Sequence, residues 1–446
     1  MKVIYNILFL LGAMLCAPYY FLKMWRRGNW TRGFRQRFGQ YGGEVKMAVT
    51  NRHTLWFHAV SVGEVNICTQ LIKTLEPRLP NVKLVVSTTT STGMAELEKK
   101  LPTHVLRVYY PIDTPWGVAR AFRVLHPEAV VLVEAEIWPN FLWAAQARRK
   151  PVFLVNARLS QRSYLGYRLF SFLFHPLFAG FAGVGCQNDA DATRLMELGC
   201  PKEAVRVVGN LKFDAAKLSE YPLFVVTQLL ERLGVSKTAK ILVAGSTHAG
   251  EEAILAEVFL RLRQKHPDLF LIIVPRHSER AGEAGADVAK AGLRIVYRKE
   301  MTEQTKRKPG SVDCLVVNTT GELKFFYEYA DVAFIGKSLS AEGGQNPLEP
   351  AALGKPVVFG PNMQNFQPIA AALVAGKGAL QVQDKAGLES ALDLLFSDAQ
   401  LREVTGQNAL TVVNANLGAI HRTAEMIIEL LRGKDVYITE EKRNGN

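Results

Sequence analysis

Two doubly wound α/β domains in tandem, preceded by an N-terminal apolar helix, are the fold this sequence predicts, on three observations. Short runs rich in Val, Leu and Ile alternate with helix-length segments of mixed polarity, as in parallel sheets covered on both faces. The series breaks once, near the middle of the chain, and starts again. A twenty-residue run without charge, Val3 to Leu22, precedes everything else. At 446 residues the chain is also too long for a single core.

The opening run is interrupted only by Asn6, Gly12 and Pro18. It is about long enough for a ~30 Å hydrocarbon core at 1.5 Å per residue. Lys23, Arg26, Arg27, Arg32, Arg35 and Arg37 follow, with Trp25 and Trp30 among them. Basic residues and tryptophans suit an anionic membrane face on the cytoplasmic side. A cleaved signal peptide carries its charges before the apolar run, so this pattern predicts a retained anchor with the body in the cytoplasm. Pro18 keeps open a helix lying in one leaflet rather than spanning. The formal charge is +13, and residues 1–50 hold eight Lys/Arg against one acid, Glu44. Excess charge gathered beside an apolar run excludes a nucleic-acid footprint, which would be spread more evenly. The five cysteines are scattered and no pair has CxxC spacing, which suggests a reducing compartment.

Strands are expected at Leu55–His58, Lys83–Ser87, Val105–Tyr109, Ala129–Val133, Pro151–Val155 and Ala182–Cys186. The rhythm then fails from Asn210 to Thr238. A second series follows at Ile241–Ala244, Phe270–Val274, Cys314–Val317, Val332–Ile335 and Val357–Phe359, and three helical segments close the chain. The expected division is an anchor, 1–22, a first α/β domain, 23–210, a linker, 211–238, a second α/β domain, 239–420, and a closing helix with a frayed tail, 421–446. Two such domains imply a cleft, with ligands at the carboxyl ends of both sheets.

Chemistry is sought at those strand ends. Leu55-Trp56-Phe57 runs into His58-Ala59-Val60-Ser61-Val62-Gly63-Glu64. Gly63 permits a tight turn, and Glu64 lands in the first turn of the next helix, where the dipole favours its ionised form. It either complements the dipole or accepts a proton from a substrate. Glu134 and Glu136 end the fourth strand, Arg158 follows the fifth, and Lys212 lies near the domain junction. In the second domain Ser246-Thr247, Pro275-Arg276, Gly321-Glu322-Leu323 and Gly336 repeat a strand, small loop, helix layout that leaves backbone N–H groups for an anion. Gly343-Gly344-Gln345-Asn346-Pro347-Leu348-Glu349 reads either as a capping box or as a loop whose Glu349 accepts from ribose hydroxyls. Asp189-Ala190-Asp191 follows Asn188 at a helix start, where acids and Asn are ordinary caps rather than metal ligands. No HxH or HExxH spacing points to zinc, and no GxxxxGK[ST] or strand-placed GxGxxG points to a P-loop or a dehydrogenase.

Taken together, His58–Glu64, Glu134–Asn140, Asn156–Ser160 with Arg162 and Ser163, Asn210–Asp214, Ser246–Glu252, Pro275–His277, Gly321–Leu323 and Gly343–Glu349 resemble the 3-deoxy-D-manno-octulosonic acid (Kdo) transferases of lipopolysaccharide assembly. The resemblance implies a membrane-associated GT-B glycosyltransferase that moves Kdo from CMP-Kdo to the lipid A precursor, lipid IVA, with inversion, without a bound metal or cofactor, at the inner face of the cytoplasmic membrane. It implies Glu64 as general base. Ser61, Gly63, Glu136, Arg158 and Lys212 are then expected at the acceptor and the acidic sugar. Ser246, Thr247, Pro275, Arg276, Gly321, Glu322, Leu323, Gly336, Asn346 and Glu349 are expected at the donor nucleotide. Three positions differ from the family pattern: Asn318 where Asp is frequent, Lys337 where Gly is frequent, and Gln345 where His is frequent. The rival readings are a GT-B transferase or epimerase using a UDP-sugar, and a non-catalytic membrane-tethered binding protein.

Overall fold

The computed structural model describes residues 2–26, 31–217 and 226–432. The expected tail at Glu440–Asn446, Arg27 and Trp30 of the basic stretch, and residues 218–225 of the expected linker lie outside them. The described chain forms two compact units, Met1–Ala215 with Leu417–Asn446, and Ala216–Asn416.

The first unit is built on a seven-stranded, all-parallel sheet of β1 (His53–His58), β2 (Val82–Thr88), β3 (Leu106–Tyr109), β4 (Pro127–Val133), β5 (Val152–Ala157), β6 (Phe181–Cys186) and β7 (Val205–Val207). Its spatial order is β3-β2-β1-β4-β5-β6-β7. The order reverses between β1 and β4, which pair directly, Phe57 opposite Val131 and His58 opposite Leu132. That reversal is the topological switch point, where an α/β sheet opens a crevice at its carboxyl edge. Along β4, Val130 and Leu132 enter one core, and Ala129, Val131 and Val133 enter another on the opposite face. Both faces are therefore covered, which is why the strands read as continuous apolar runs. On one face Trp56 packs among Phe141, Phe122 and Tyr110, with ring centroids 5.0, 5.5 and 6.0 Å away.

The second unit repeats the plan with β8 (Lys240–Thr247), β9 (Leu269–Pro275), β10 (Ile295–Tyr297), β11 (Cys314–Val316), β12 (Val332–Ile335), β13 (Val357–Phe359) and β14 (Ala379–Gln381). The order β10-β11-β9-β8-β12-β13-β14 puts its switch point between β8 and β12. Leu242, Ala244, Leu271, Ile273 and Phe334 pack there against Leu255 and Phe259 of helix Glu251–Lys265.

Sequence reading missed β7, β10 and β14. All three are three-residue edge strands, too short and too exposed on one side to show an apolar run. The expected linker is also corrected. Residues Leu211–Lys217 and Val226–Arg232 are helical, and Leu211 and Phe213 are buried. The chain returns to the first unit at Leu417, before the expected boundary at 420. Helix Ala419–Leu431 lies on helix Val62–Leu75, and the Asp214 carboxylate accepts from the Gly418 and Ile420 N–H groups at 2.7 and 2.8 Å. Arg78 with Glu425 and Arg206 with Glu429 tie the same helix down.

Helix Lys2–Arg26 contains an 18-residue window, Lys2–Tyr19, long and apolar enough to cross a membrane, none of it buried. Its first turns nevertheless touch the first unit. Tyr5 donates to Asp113 at 2.9 Å, Asn140 donates to the Asn6 side chain at 2.7 Å, and Tyr5 meets Trp143 edge-on at 5.6 Å. Beyond the helix the basic stretch is only partly free. Arg37 donates to the Thr89 carbonyl at 2.6 Å and lies 4.5 Å over the Tyr109 ring, and Arg32 pairs with Glu98, whereas Arg35 is exposed.

Candidate active site

At the switch point of the first sheet, the loop after β1 opens helix Val62–Leu75. Ser61 is the N-cap, and its hydroxyl accepts the Glu64 N–H at 3.2 Å while the Glu64 carboxylate takes the Val60 N–H at 2.8 Å. This is a near-relative of the capping box. Capping accounts for one carboxylate oxygen and leaves the other without a role in the helix start. Gly63 is not needed for a turn. Its φ is ordinary, and a Cβ there would meet only Ser61 Oγ, at 3.8 Å. The glycine instead leaves open space beside Glu64.

Electrostatics depart from the expectation that the helix start would hold Glu64 well ionised. Glu64 is 8% exposed, and burial pushes its carboxyl up from 4.5 to about 6. The Ser61 and Val60 hydrogen bonds pull it down, and the nearby Glu134 and Glu136 push it up. Desolvation outweighs the dipole because the buried ion loses its water while the dipole supplies only a partial charge.

Glu134 and Glu136 reach the same place from the end of β4. Glu134 has φ +63°, and its N–H is held by the Val155 carbonyl at 2.9 Å. Lys212 pairs with Glu134 at 2.9 Å, so the expected cation is present and its acid is identified. Glu136 accepts from the Trp138 indole at 2.7 Å, and burial raises its carboxyl. Asn156, with φ +54°, donates to Glu134 at 3.4 Å and accepts the Leu211 N–H at 3.1 Å, fixing the start of the Lys212 helix. Arg158 is half-buried at the end of β5, and its guanidinium has no hydrogen bond or ion pair among the described residues.

Sequence reading passed over the support beneath this cluster. His58 is fully buried, stacked on Tyr110 at 3.7 Å, and burial holds its imidazole neutral, down to about 3. Its Nδ1 lies 3.1 Å from the Ser87 carbonyl and 3.0 Å from the Ser87 hydroxyl, and its Nε2 lies 3.9 Å from Glu136. The only sequence signal was its place at the end of a buried strand. Asp191, by contrast, is structural. Asn188 caps its N–H at 2.9 Å, and its carboxylate takes the Leu159 N–H at 3.0 Å.

In the second unit the expected donor residues gather along one sheet edge. Ser246, with φ +54°, and buried Thr247 end β8, and Thr247 accepts the Arg276 N–H through its carbonyl at 3.0 Å. Pro275 closes β9 and Arg276 is exposed beyond it. Gly336 follows β12, where a Cβ would stand 2.3 Å from the Ser246 carbonyl, so the two switch-point loops touch backbone to backbone. Glu251 binds them further. Its buried carboxylate accepts the N–H groups of His248, Lys337, Ser338 and Leu339 at 2.9, 2.7, 2.8 and 3.0 Å. Neither this residue nor its neighbour Glu252, which accepts from Thr247 at 2.9 Å and Arg280 at 3.2 Å, was singled out as a site residue.

Several of the expected donor residues also have roles within the fold. Glu322 is engaged within the protein, by Arg298 at 3.2 Å and Thr319 at 2.5 Å. The Gly343-Gly344 pair has a cause in the fold itself. Both have positive φ, and Cβ atoms there would meet Asn365 at 2.9 Å and Met363 at 2.6 Å. The Asn346 side chain accepts the Leu348 N–H at 3.1 Å, opening the short helix Leu348–Ala352 that carries half-exposed Glu349 in its first turn. Gly321, at φ +84°, has no atom near its Cβ position and leads into Leu323 of helix Leu323–Glu328.

Two all-parallel, seven-stranded sheets, each with its own switch point, define a GT-B-like double-Rossmann fold. Solved structures share that fold. A glycosyltransferase from Rickettsia africae covers 86% of this chain with a TM-score of 0.58 at 14% identity, and a UDP-GlcNAc 2-epimerase from Neisseria meningitidis covers 84% with a TM-score of 0.58 at 13% identity. At those identities only the fold is shared. The family model described as 3-deoxy-D-manno-octulosonic-acid transferase matches residues 32–215. The 3-deoxy-D-manno-octulosonic acid transferase of Bordetella pertussis is 34% identical over 93% of this chain and 97% of its own length, and that of Haemophilus influenzae is 30% identical over 88% and 91%. The chain belongs to the 3-deoxy-D-manno-octulosonic acid transferase family.

Proposed function

We propose that this protein transfers Kdo, with inversion, from CMP-Kdo to the lipid A precursor, using Glu64 as the general base. The observation that carries the reading is the Glu64 carboxyl, at a switch point and tuned to about 6. A base of that strength is mostly ionised at neutral pH yet strong enough to take a proton in the transition state. The step balances simply. Glu64 accepts the proton of an acceptor hydroxyl as its oxygen bonds to the anomeric carbon. The bond from that carbon to the CMP phosphate breaks with its electron pair on the phosphate oxygen, through an oxocarbenium-like transition state. Lys212 stands ready to offset the acids beside an anionic sugar, and Arg276 to receive charge on the leaving phosphate. Family membership supports the Kdo donor. A UDP-sugar rests on fold likeness alone.

Turnover of CMP-Kdo with lipid IVA tests the reading. Transfer is expected with CMP-Kdo and not with UDP-sugars, and CMP rather than UDP is expected to raise the melting temperature. The opposite preference would replace the donor, and binding without turnover would leave a tethered binding protein.

The same reading places the body at the cytoplasmic membrane face through helix Lys2–Arg26. Tyr5 and Asn6 hold the first turns against the first unit, which favours a helix lying along one leaflet over an upright span. Deleting residues 1–22 is expected to weaken liposome binding and leave a remnant that salt screens. Sedimentation that is unchanged by salt would show that the basic stretch plays no such part.

A further inference from the structure

Lys337 stands at the switch point of the second sheet, two residues beyond the end of β12, with φ +55°. That left-handed conformation strains any residue with a Cβ, whereas glycine adopts it freely. The surrounding structure over-determines the strain. The Lys337 N–H is held by Glu251 at 2.7 Å, the next two N–H groups by the same carboxylate, and the Lys337 carbonyl by the Gly344 N–H at 2.8 Å. Three successive N–H groups of this kind form a nest that ordinarily takes an anion. Here the protein's own Glu251 fills it, so a ligand's anionic group must find its donors elsewhere.

The Lys337 side chain offers one. It is half-buried, and its ammonium lies 3.4 Å from where a Cβ on Gly343 would stand, beside the loop that leads to Asn346 and Glu349. Among the described residues it has no hydrogen bond or ion pair, and the buried acid that binds its loop, Glu251 of the helix after β8, is occupied by four backbone donors. A strained cation at a ligand-binding edge, spent on nothing in the fold, is a feature kept for something outside it. We propose that Lys337 binds an anionic group of the nucleotide-linked acidic sugar, its phosphate or its carboxylate, and that Glu251 is the positioning residue that aims it. This rests on the donor reading given above.

Lys337→Met and Lys337→Gly test the proposal, with CMP binding followed by calorimetry and KM for CMP-Kdo by steady-state kinetics. Loss of a charge-assisted contact weakens binding roughly 10- to 100-fold. If the phosphate is bound, both CMP affinity and the donor KM change by that factor. If the carboxylate is bound, only the donor KM changes. In either case Lys337→Gly melts no lower than the unmodified protein, because glycine relieves the backbone. Wild-type values for both quantities in both variants would overturn the assignment. Glu251→Gln is expected to raise the donor KM in the unmodified protein and to add nothing in the Lys337→Met background. An equal rise in both backgrounds would overturn its positioning role. Failure of the functional reading looks different, since the unmodified protein itself would then neither bind CMP nor transfer Kdo.

Discussion

Glu64 and Glu251 occupy the same place in two copies of one plan, and their surroundings give them opposite characters. Each lies in the first turn of the helix that follows the switch-point strand, β1 or β8. Glu251 accepts four backbone N–H groups and is fully buried. Glu64 accepts one, and two further carboxylates press on it. A carboxylate saturated with donors is held ionised as a structural clasp, while one that is desolvated with few donors is pushed toward the strength a base needs, as the proposed function requires of Glu64. The difference arises in the neighbouring loop. After β12 the chain turns its N–H groups toward Glu251, whereas after β4 it brings in Glu134 and Glu136.

The sharpest way to break this comparison is to neutralise each acid in turn. Glu64→Gln is expected to lower kcat by about 10²–10⁴-fold, the usual worth of a general base. It is also expected to stabilise the protein. The folded pKa of Glu64 lies above its ordinary value of 4.5, so the folded state holds the proton longer, and stability falls as pH rises from 4.5 through about 6. Removing that group returns about 2 kcal/mol at neutral pH. Urea melts at pH 4 and pH 8 would show the gain almost wholly at the higher pH, and a destabilised, active variant would make Glu64 a cap and nothing more.

Glu251→Ala should do the reverse. Four backbone donors lose their acceptor, and each that stays dry costs about 1–3 kcal/mol, so a loss on the order of 3 kcal/mol or more is expected in chemical denaturation. A loss under ~1 kcal/mol would mean that water enters the nest as readily as the carboxylate.

A smaller effect separates the members of the first cluster. The acidic limb of kcat/KM should turn near pH 6 in the unmodified protein. Glu136→Gln removes a negative neighbour that raises Glu64, so the limb should move to lower pH while the plateau falls only as far as acceptor binding suffers. An unmoved limb would mean that the titrating group is not Glu64.

Much of this was open to reading before folding. The central strands were legible because apolar residues fill both faces of a covered sheet, and β1, β4, β8 and β9 stand within a few residues of their expected positions. The edge strands were not, since an edge needs neither length nor an apolar run. Glu64 was legible as a first-turn acid after a buried strand, but the direction of its pKa was not. The dipole is a property of local sequence, whereas desolvation depends on how much chain folds over the residue. The Gly343-Gly344 pair could be seen as special, yet its cause, the approach of Asn365 and Met363, lies some twenty residues away in the chain.

The sequence by itself determined the two-sheet plan, the apolar N-terminal helix and the strand ends where chemistry is possible, because periodicity and turn chemistry are local. Only the tertiary structure decided which acid is desolvated and which is saturated with donors, that Lys212 answers Glu134, that Asp214 holds the returning helix at Gly418 and Ile420, and that Lys337 is held in a strained conformation. Those outcomes depend on burial and on partners tens to hundreds of residues apart, and the energy of a charge is set by what surrounds it in space rather than by what adjoins it in the chain.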